Sequence, residues 1–159
     1  MSFAVTAHPV DTPESLAVLW DYFEELCRRY WDRPVSAAEV DQAMREEPSG
    51  DLVPPTGAFL LARAGVDVLG CVGVRLLAPE VAELTRMYVR PSARGRGVAM
   101  ALVAGAERAA VALGAHRMLL DTRSDLVEAR GLYRRCGYVE GSPHNSSPYA
   151  DHWFAKALA

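Results

Sequence analysis

Between Glu83 and Ala99 the chain reads Glu-Leu-Thr-Arg-Met-Tyr-Val-Arg-Pro-Ser-Ala-Arg-Gly-Arg-Gly-Val-Ala. A strand-like run ends at Val89, a turn holding Arg94, Gly95, Arg96 and Gly97 follows, and a long alanine-rich helix is predicted from Val98. The first amides of a helix have no intrahelical acceptor, and the helix dipole adds partial positive charge there. Two glycines let the main chain bend tightly and let a ligand approach with no Cβ in the way. That order of residue types is a recipe for gripping a pyrophosphate. Arg86, Arg90, Arg94 and Arg96 crowd around the turn. Arg94 and Arg96 are the expected phosphate contacts, and Arg86 and Arg90 read better as a solvated face.

Two familiar phosphate loops are excluded. There is no Gly-Lys-Ser/Thr, and no G-x-G-x-x-G followed by an acid at ribose-binding distance, since Asp121 falls at the wrong spacing. The pattern that fits is Arg/Gln-x-x-Gly-x-Gly/Ala, met by Arg94, Gly97 and Ala99. Another informative segment follows about thirty residues on, Glu128-Ala-Arg-Gly-Leu-Tyr-Arg-Arg-Cys-Gly-Tyr138.

Together these two segments resemble the GNAT superfamily of N-acetyltransferases. The stretch ending at Ala99 is similar to its acetyl-CoA-binding motif. The stretch from Glu128 to Tyr138 is similar to its A-x-x-L-Y-x-x-x-G-Y/F motif, matched by Ala129, Leu132, Tyr133, Gly137 and Tyr138. The resemblance implies acetyl-CoA as co-substrate and no metal. It implies that backbone groups of Met87 and Val89, flanking Tyr88, hydrogen-bond the pantetheine arm. Amides from Arg94 through Gly95, Arg96, Gly97 and Val98 to Ala99 would hold the pyrophosphate. Tyr133 would protonate the departing CoA thiolate. One position departs from the pattern: many members carry Asn seven residues before this tyrosine, and Leu126 stands there. The contact that Asn makes is missing here or supplied elsewhere.

Acyl transfer to an amine makes three demands. The acceptor must lose its proton, because an alkylammonium of pKa about 10.4 has no lone pair to attack with. The tetrahedral oxyanion needs a donor, for which the N–H of Val89 is placed. The thiolate must leave with a proton, from Tyr133. Direct attack in a ternary complex needs no cysteine, which suits a chain whose cysteines have no neighbouring base. Glu83, on the same strand as Val89, is the general-base candidate, beside a water relay or a plain surface carboxylate. The alternative function is a non-catalytic acyl-CoA-binding or sensor module, which Leu126 favours and Tyr133 opposes.

The elements that would position these residues follow from periodicity. Phe3–His8 reads as a strand. Thr12-Pro13 opens a helix whose apolar residues Leu16, Leu19, Trp20, Phe23 and Leu26 recur at three and four, to about Arg29. A link containing Tyr30, Trp31 and Pro34 leads to the capping-box signature of Ser36 and Glu39 and a further helix through Met44. Strands are predicted at 58–64, 68–77 and 81–89, joined by links short enough for antiparallel hairpins. A helix at 98–113 ending in Gly114, a strand at 117–122, a helix at 126–136 ending in Gly137, and strands at 138–140 and 151–158 complete the chain. The order β-α-α-β-β-β-α-β-α-β-β is a mixed α/β, GNAT-like fold, a central twisted sheet flanked by helices, expected to be one acetyltransferase domain over 1–159. Its β-α-β crossover should be parallel and right-handed.

Acceptor recognition is expected from the first two helices, their link and the last loop. Tyr30, Trp31 and Tyr149 could wall a pocket, although aromatics near a helix end more often join the core. Asp21, Glu24, Glu25 and Asp32 could draw a cationic amine or form a wet helix face. His144 and His152 could assist proton transfer or be ordinary surface histidines. The 159 residues are 50% hydrophobic and carry a net charge of −3, a composition for one well-cored domain rather than a nucleic-acid binder. Eleven acids face four arginines through Asp51, and nine acids face thirteen bases beyond it. Cys27, Cys71 and Cys136 form no C-x-x-C pair and read as reduced thiols, with no metal site. No apolar stretch is long enough to span a bilayer and no leader peptide is visible, so the expectation is a cytoplasmic chain acting on a small-molecule or protein amine, with no nucleic-acid or membrane partner. A homodimer is expected by analogy alone.

Overall fold

The computed structural model describes residues 2–158. Its elements run β1 (Ala4–Ala7), α1 (Pro13–Trp31), α2 (Ala37–Glu46), β2 (Gly57–Ala64), β3 (Asp67–Ala78), β4 (Val81–Val89), a 3-10 turn at Pro91–Ala93, α3 (Val98–Ala112), β5 (Arg117–Thr122), α4 (Val127–Arg135), β6 (Val139–Gly141) and β7 (His152–Ala157). The seven strands form one sheet in the order β1-β2-β3-β4-β5-β7-β6. Every neighbouring pair is antiparallel except β4–β5, the two ends of the crossover through α3. Among the described residues no helix is long and apolar enough to cross a membrane.

The local signals act as expected. Thr12 caps α1 by accepting from the Ser15 N–H, and Pro13 occupies the first turn. At α2 the reciprocal Ser36–Glu39 box is complete. Arg33 clamps the same Glu39, and that hydrogen bond, with one from the Ser36 amide, holds its carboxyl down at about 2.

Strand alternation sorts the core into two faces. Leu60, Ala62, Val72, Val74, Leu84, Met118 and Leu120 pack with α3 and α4 residues such as Leu102, Val103, Leu132 and Tyr133. Phe59, Leu61, Cys71 and Tyr88 point the other way and meet Val18 and Leu19 of α1. Helices therefore cover both faces, and the sheet between them carries the site.

One element differs from the sequence reading. Tyr30 and Trp31 are not in a link but form the last turn of α1, which stops at Asp32 in the left-handed region, φ 52. The Asp32 and Arg33 amides both return to the Arg28 carbonyl, which satisfies that end. Nothing between Leu26 and Trp31 breaks a helix; Pro34 is the first residue that would.

Candidate active site

β4 and β5 pair at three positions only, Val81 with Arg117, Ala82 with Met118 and Glu83 with Leu119. Beyond Glu83, β4 runs on to Val89 without a partner on that edge, while β5 stays paired to β7 as far as Thr122. The two parallel strands thus part, leaving a wedge with its apex at Glu83 and its mouth at their C-terminal ends. Crevices at the carboxyl ends of parallel strands are where α/β sheets bind ligands.

A bulge shapes the β4 wall. Its register against β3 slips between the Tyr88–Cys71 and Thr85–Gly73 pairs, and Arg86 takes φ 55. The inserted residue resets the alternation, so Leu84, Met87 and Val89 pack on the α3 side while Tyr88 joins the α1 side. Without it Arg86 would share a face with Leu84 inside the α3 core. Instead the buried Arg86 guanidinium donates to Ser49 Oγ (3.1 Å), Thr85 Oγ1 (2.9 Å) and the Glu47 carbonyl (3.1 Å), over the Phe23 ring. The expectation of a solvated Arg86 is corrected: it braces the bulge against the loop after α2.

At the mouth, the 3-10 turn leads through Arg94, Gly95 and Arg96 to Gly97, which precedes α3. Gly95 and Gly97 both have φ 79, and a Cβ on either would meet no atom within 4 Å. The glycines are required by the backbone, and they border open space. No side chain caps α3, and its first helical bond runs from the Ala101 N–H to the Gly97 carbonyl. The amides of Val98, Ala99 and Met100 consequently precede any intrahelical acceptor. No acid stands in the first turn of α3.

The arginines of this region divide in a way that spacing did not show. Arg94 folds back, its Nε donating to the Val89 carbonyl (2.9 Å) and its Nη2 to Glu25 (2.8 Å). Arg90 donates to the Val68 carbonyl and pairs with Asp21. Arg96 is exposed and lines a groove of about 590 Å³ with Ser92, Arg90 and Glu14. Across the mouth, Arg29 of α1 reaches Glu128 (2.5 Å) and the Asp125 carbonyl (3.0 Å), and Arg123 donates to the Leu26 carbonyl (2.9 Å). α1 is thereby stitched to the turns after β4 and after β5 alike. Asp21 and Glu25 belong to this seam, neither a wet face nor an amine trap. Glu24 pairs within its own helix with Arg28.

Glu83 sits at the apex and is not a plain surface carboxylate. Its side chain is 16% exposed and accepts from Arg75 Nη1 at 3.0 Å. Burial pushes its carboxyl above the ordinary value; the Arg75 charge opposes that rise and Asp121 of β5 adds to it. Tyr133, on α4, is buried against Tyr138 and Phe154, with ring centroids 5.9 and 6.2 Å away. Burial drives its phenol far up, with the Tyr22 hydroxyl adding to the rise, so it stays protonated. Among the described residues its hydroxyl has no hydrogen-bond partner. Leu126 immediately precedes α4 and makes no side-chain cap.

The residues expected on the acceptor side do meet. Tyr30 and Tyr149 stand edge to face at 5.4 Å, and Trp31 lies 6.1 Å from Tyr30. All three are about half exposed, at 49, 49 and 46%, so the core reading of the helix-end aromatics is corrected. The last loop is pinned to β5. His144 donates from Nε2 to the Leu120 carbonyl (3.1 Å), and Asn145 donates to Asp121 (2.8 Å) while accepting from the Trp153 indole (3.0 Å). Two site residues escaped sequence reasoning. Tyr22, its phenol pushed by burial to about 12, and Asp121 carry no motif, since helix and strand periodicity say which face a residue takes but not what stands opposite. Among the described residues no cluster of His, Cys, Asp and Glu could hold a metal ion.

A model described as Acetyltransferase (GNAT) family matches residues 19–138. An uncharacterized N-acetyltransferase of Schizosaccharomyces pombe is 29% identical over 150 residues, 93% of this chain and 88% of its own length. A GNAT-family acetyltransferase of Staphylococcus aureus Mu50 superposes with a TM-score of 0.78 at 14% identity, over 99% of this chain and 100% of that one. The PaiA N-acetyltransferase of Thermoplasma acidophilum, solved in complex with coenzyme A, gives 0.75 at 18% identity, over 99% and 100%. At such identities the superpositions establish a common fold.

Proposed function

This chain belongs to the acetyltransferase (GNAT) family, and from that premise we propose that it moves an acetyl group from acetyl-CoA to the amine of a small molecule or a protein. We read residues 1–159 as one domain that performs the transfer by direct attack in a ternary complex. One observation carries the proposal: β4 leaves β5 after Glu83 and leads through the 3-10 turn to an uncapped helix start whose two left-handed glycines border open space. That cradle suits acetyl-CoA, which supplies the activated acetyl group. The amides from Gly95 to Ala99 would take the pyrophosphate, the Arg94 amide being already given to the Pro91 carbonyl, and Arg96 adds charge at its rim. Main-chain groups of Met87 and Val89 would hold the pantetheine arm in the wedge, with the Val89 N–H as oxyanion donor. Tyr133 hands its proton to the departing thiolate. Glu83, at the apex, takes the acceptor's proton directly or through a water. Tyr30, Trp31 and Tyr149 would offer the acceptor an aromatic wall.

A thermal-shift series tests the binding half. Acetyl-CoA and CoA at a hundred times Kd should each add about 2.7 kcal/mol of stability, and free adenine nucleotides far less. No shift with acetyl-CoA would remove the assignment. Release of free CoA with an amine panel then separates an enzyme from a non-catalytic binding module.

The base can be tested by pH. Glu83 must be ionised to accept a proton, so kcat/KM should rise through its pKa, on an acid limb above the ordinary glutamate value because burial raises it. Glu83→Gln should abolish that limb and lower kcat/KM by roughly 100-fold. A limb retained in the variant assigns the proton to another group.

A further inference from the structure

Three further side chains stand in hydrogen-bonded series. Ser124 Oγ lies 3.1 Å from His152 Nε2, and His152 Nδ1 lies 2.5 Å from Glu140 Oε2. They come from three segments, the loop between β5 and α4, the first residue of β7, and the middle of β6. Arg134 donates to the other oxygen of Glu140 at 2.8 Å. The His152 hydrogen bond and then that from Arg134 hold the Glu140 carboxyl below its usual range, so it is ionised and only accepts. In the neutral imidazole the proton therefore sits on Nδ1, Nε2 keeps the lone pair, and the Ser124 hydroxyl donates toward it.

The serine is fixed in place. Its N–H donates to Asp151 Oδ2 at 2.8 Å, and the Asp151 N–H donates to the Thr122 carbonyl at 2.9 Å. Ser124 is exposed, whereas the His152 side chain is 20% exposed. An accessible hydroxyl, a base held in the accepting tautomer and a carboxylate that orients the base are the three parts of an activated serine.

We propose that Ser124 is a nucleophile, with His152 as its base and Glu140 orienting that base, and that it accepts an acyl group from an activated acyl donor, an aryl ester or a thioester. Ser124 Oγ bonds to the acyl carbon and its proton passes to His152 Nε2. The carbon–oxygen or carbon–sulfur bond of the donor breaks, and the imidazolium returns the proton to the leaving group. Water, deprotonated by His152, then cleaves the serine ester to a carboxylic acid and the free hydroxyl. None of the three residues has a role in the amine acetylation proposed above.

The test uses p-nitrophenyl acetate, which needs no CoA site, so its result is independent of the acetyl-CoA reading. Acid quench during the initial burst, followed by intact mass and peptide mapping, should show one acetyl group on Ser124, absent in Ser124→Ala. Acylation should slow roughly 100-fold in His152→Gln and fall also in Glu140→Gln, with circular dichroism matching the parent. Acetyl groups found on the N-terminus or Lys156 with Ser124 unmodified overturn the proposal in the unaltered protein, whatever the variants do. Equal Ser124 labelling in the parent and either folded histidine or glutamate variant overturns it as well.

Discussion

Tyr133→Phe is expected to lower kcat roughly 100-fold while leaving the affinity for acetyl-CoA unchanged. The substitution removes one hydroxyl and keeps the ring that packs on Tyr138 and Phe154. No described residue hydrogen-bonds that hydroxyl, so its loss strands no buried partner and the fold should be nearly indifferent. What disappears is the proton source proposed for the departing thiolate. Burial pushes the phenol up and keeps it protonated, and a neutral phenol can donate to a thiolate leaving next to it. The measurements are single-turnover release of CoA for the chemistry and a thermal shift for binding. If kcat is unchanged, Tyr133 is a packing residue and the acid lies elsewhere.

Gly97→Val should raise KM for acetyl-CoA by about 30-fold, the equivalent of about 2 kcal/mol. Gly97 is held at φ 79, a region that costs other residues about 1–2 kcal/mol, and more when the side chain branches at Cβ. A new Cβ there meets nothing in the protein, so the core is undisturbed and the side chain enters the space assigned to the anion. Gly114→Val is the control. It lies at φ 98 beyond the opposite end of α3, a helix roughly 22 Å long, and imposes the same kind of backbone strain with no anion beside it. It should lower Tm with KM unaltered. Equal KM effects at both positions would mean that the turn acts through stability alone.

The elements were legible in the sequence because their signals are local. The capping box at Ser36 and Glu39, Pro13 after Thr12, and glycines at 114 and 137 act within a few residues of themselves. The glycine turn before α3 was legible for the same reason, as its strand, glycines and helix are contiguous. The end of α1 is not legible in the sequence because aromatic residues neither favour nor forbid another helical turn. The place of Arg86 is hidden for a different reason. A period of two predicts its face only if the strand is regular, and the bulge moves it from one side of the sheet to the other.

Residue order alone determined the architecture, the glycine turn and the tyrosine motif, all of which depend on neighbours a few positions apart. Tertiary structure decided which charges are spent on each other, since Arg94 meets Glu25 across 69 positions and Arg29 meets Glu128 across 99. It alone revealed where β4 and β5 separate, that Tyr30 faces Tyr149, and that Ser124, His152 and Glu140 form a series. The reason is physical: such contacts are set by how strands stack into a sheet and how helices lie across it, and chain spacing carries no record of those distances.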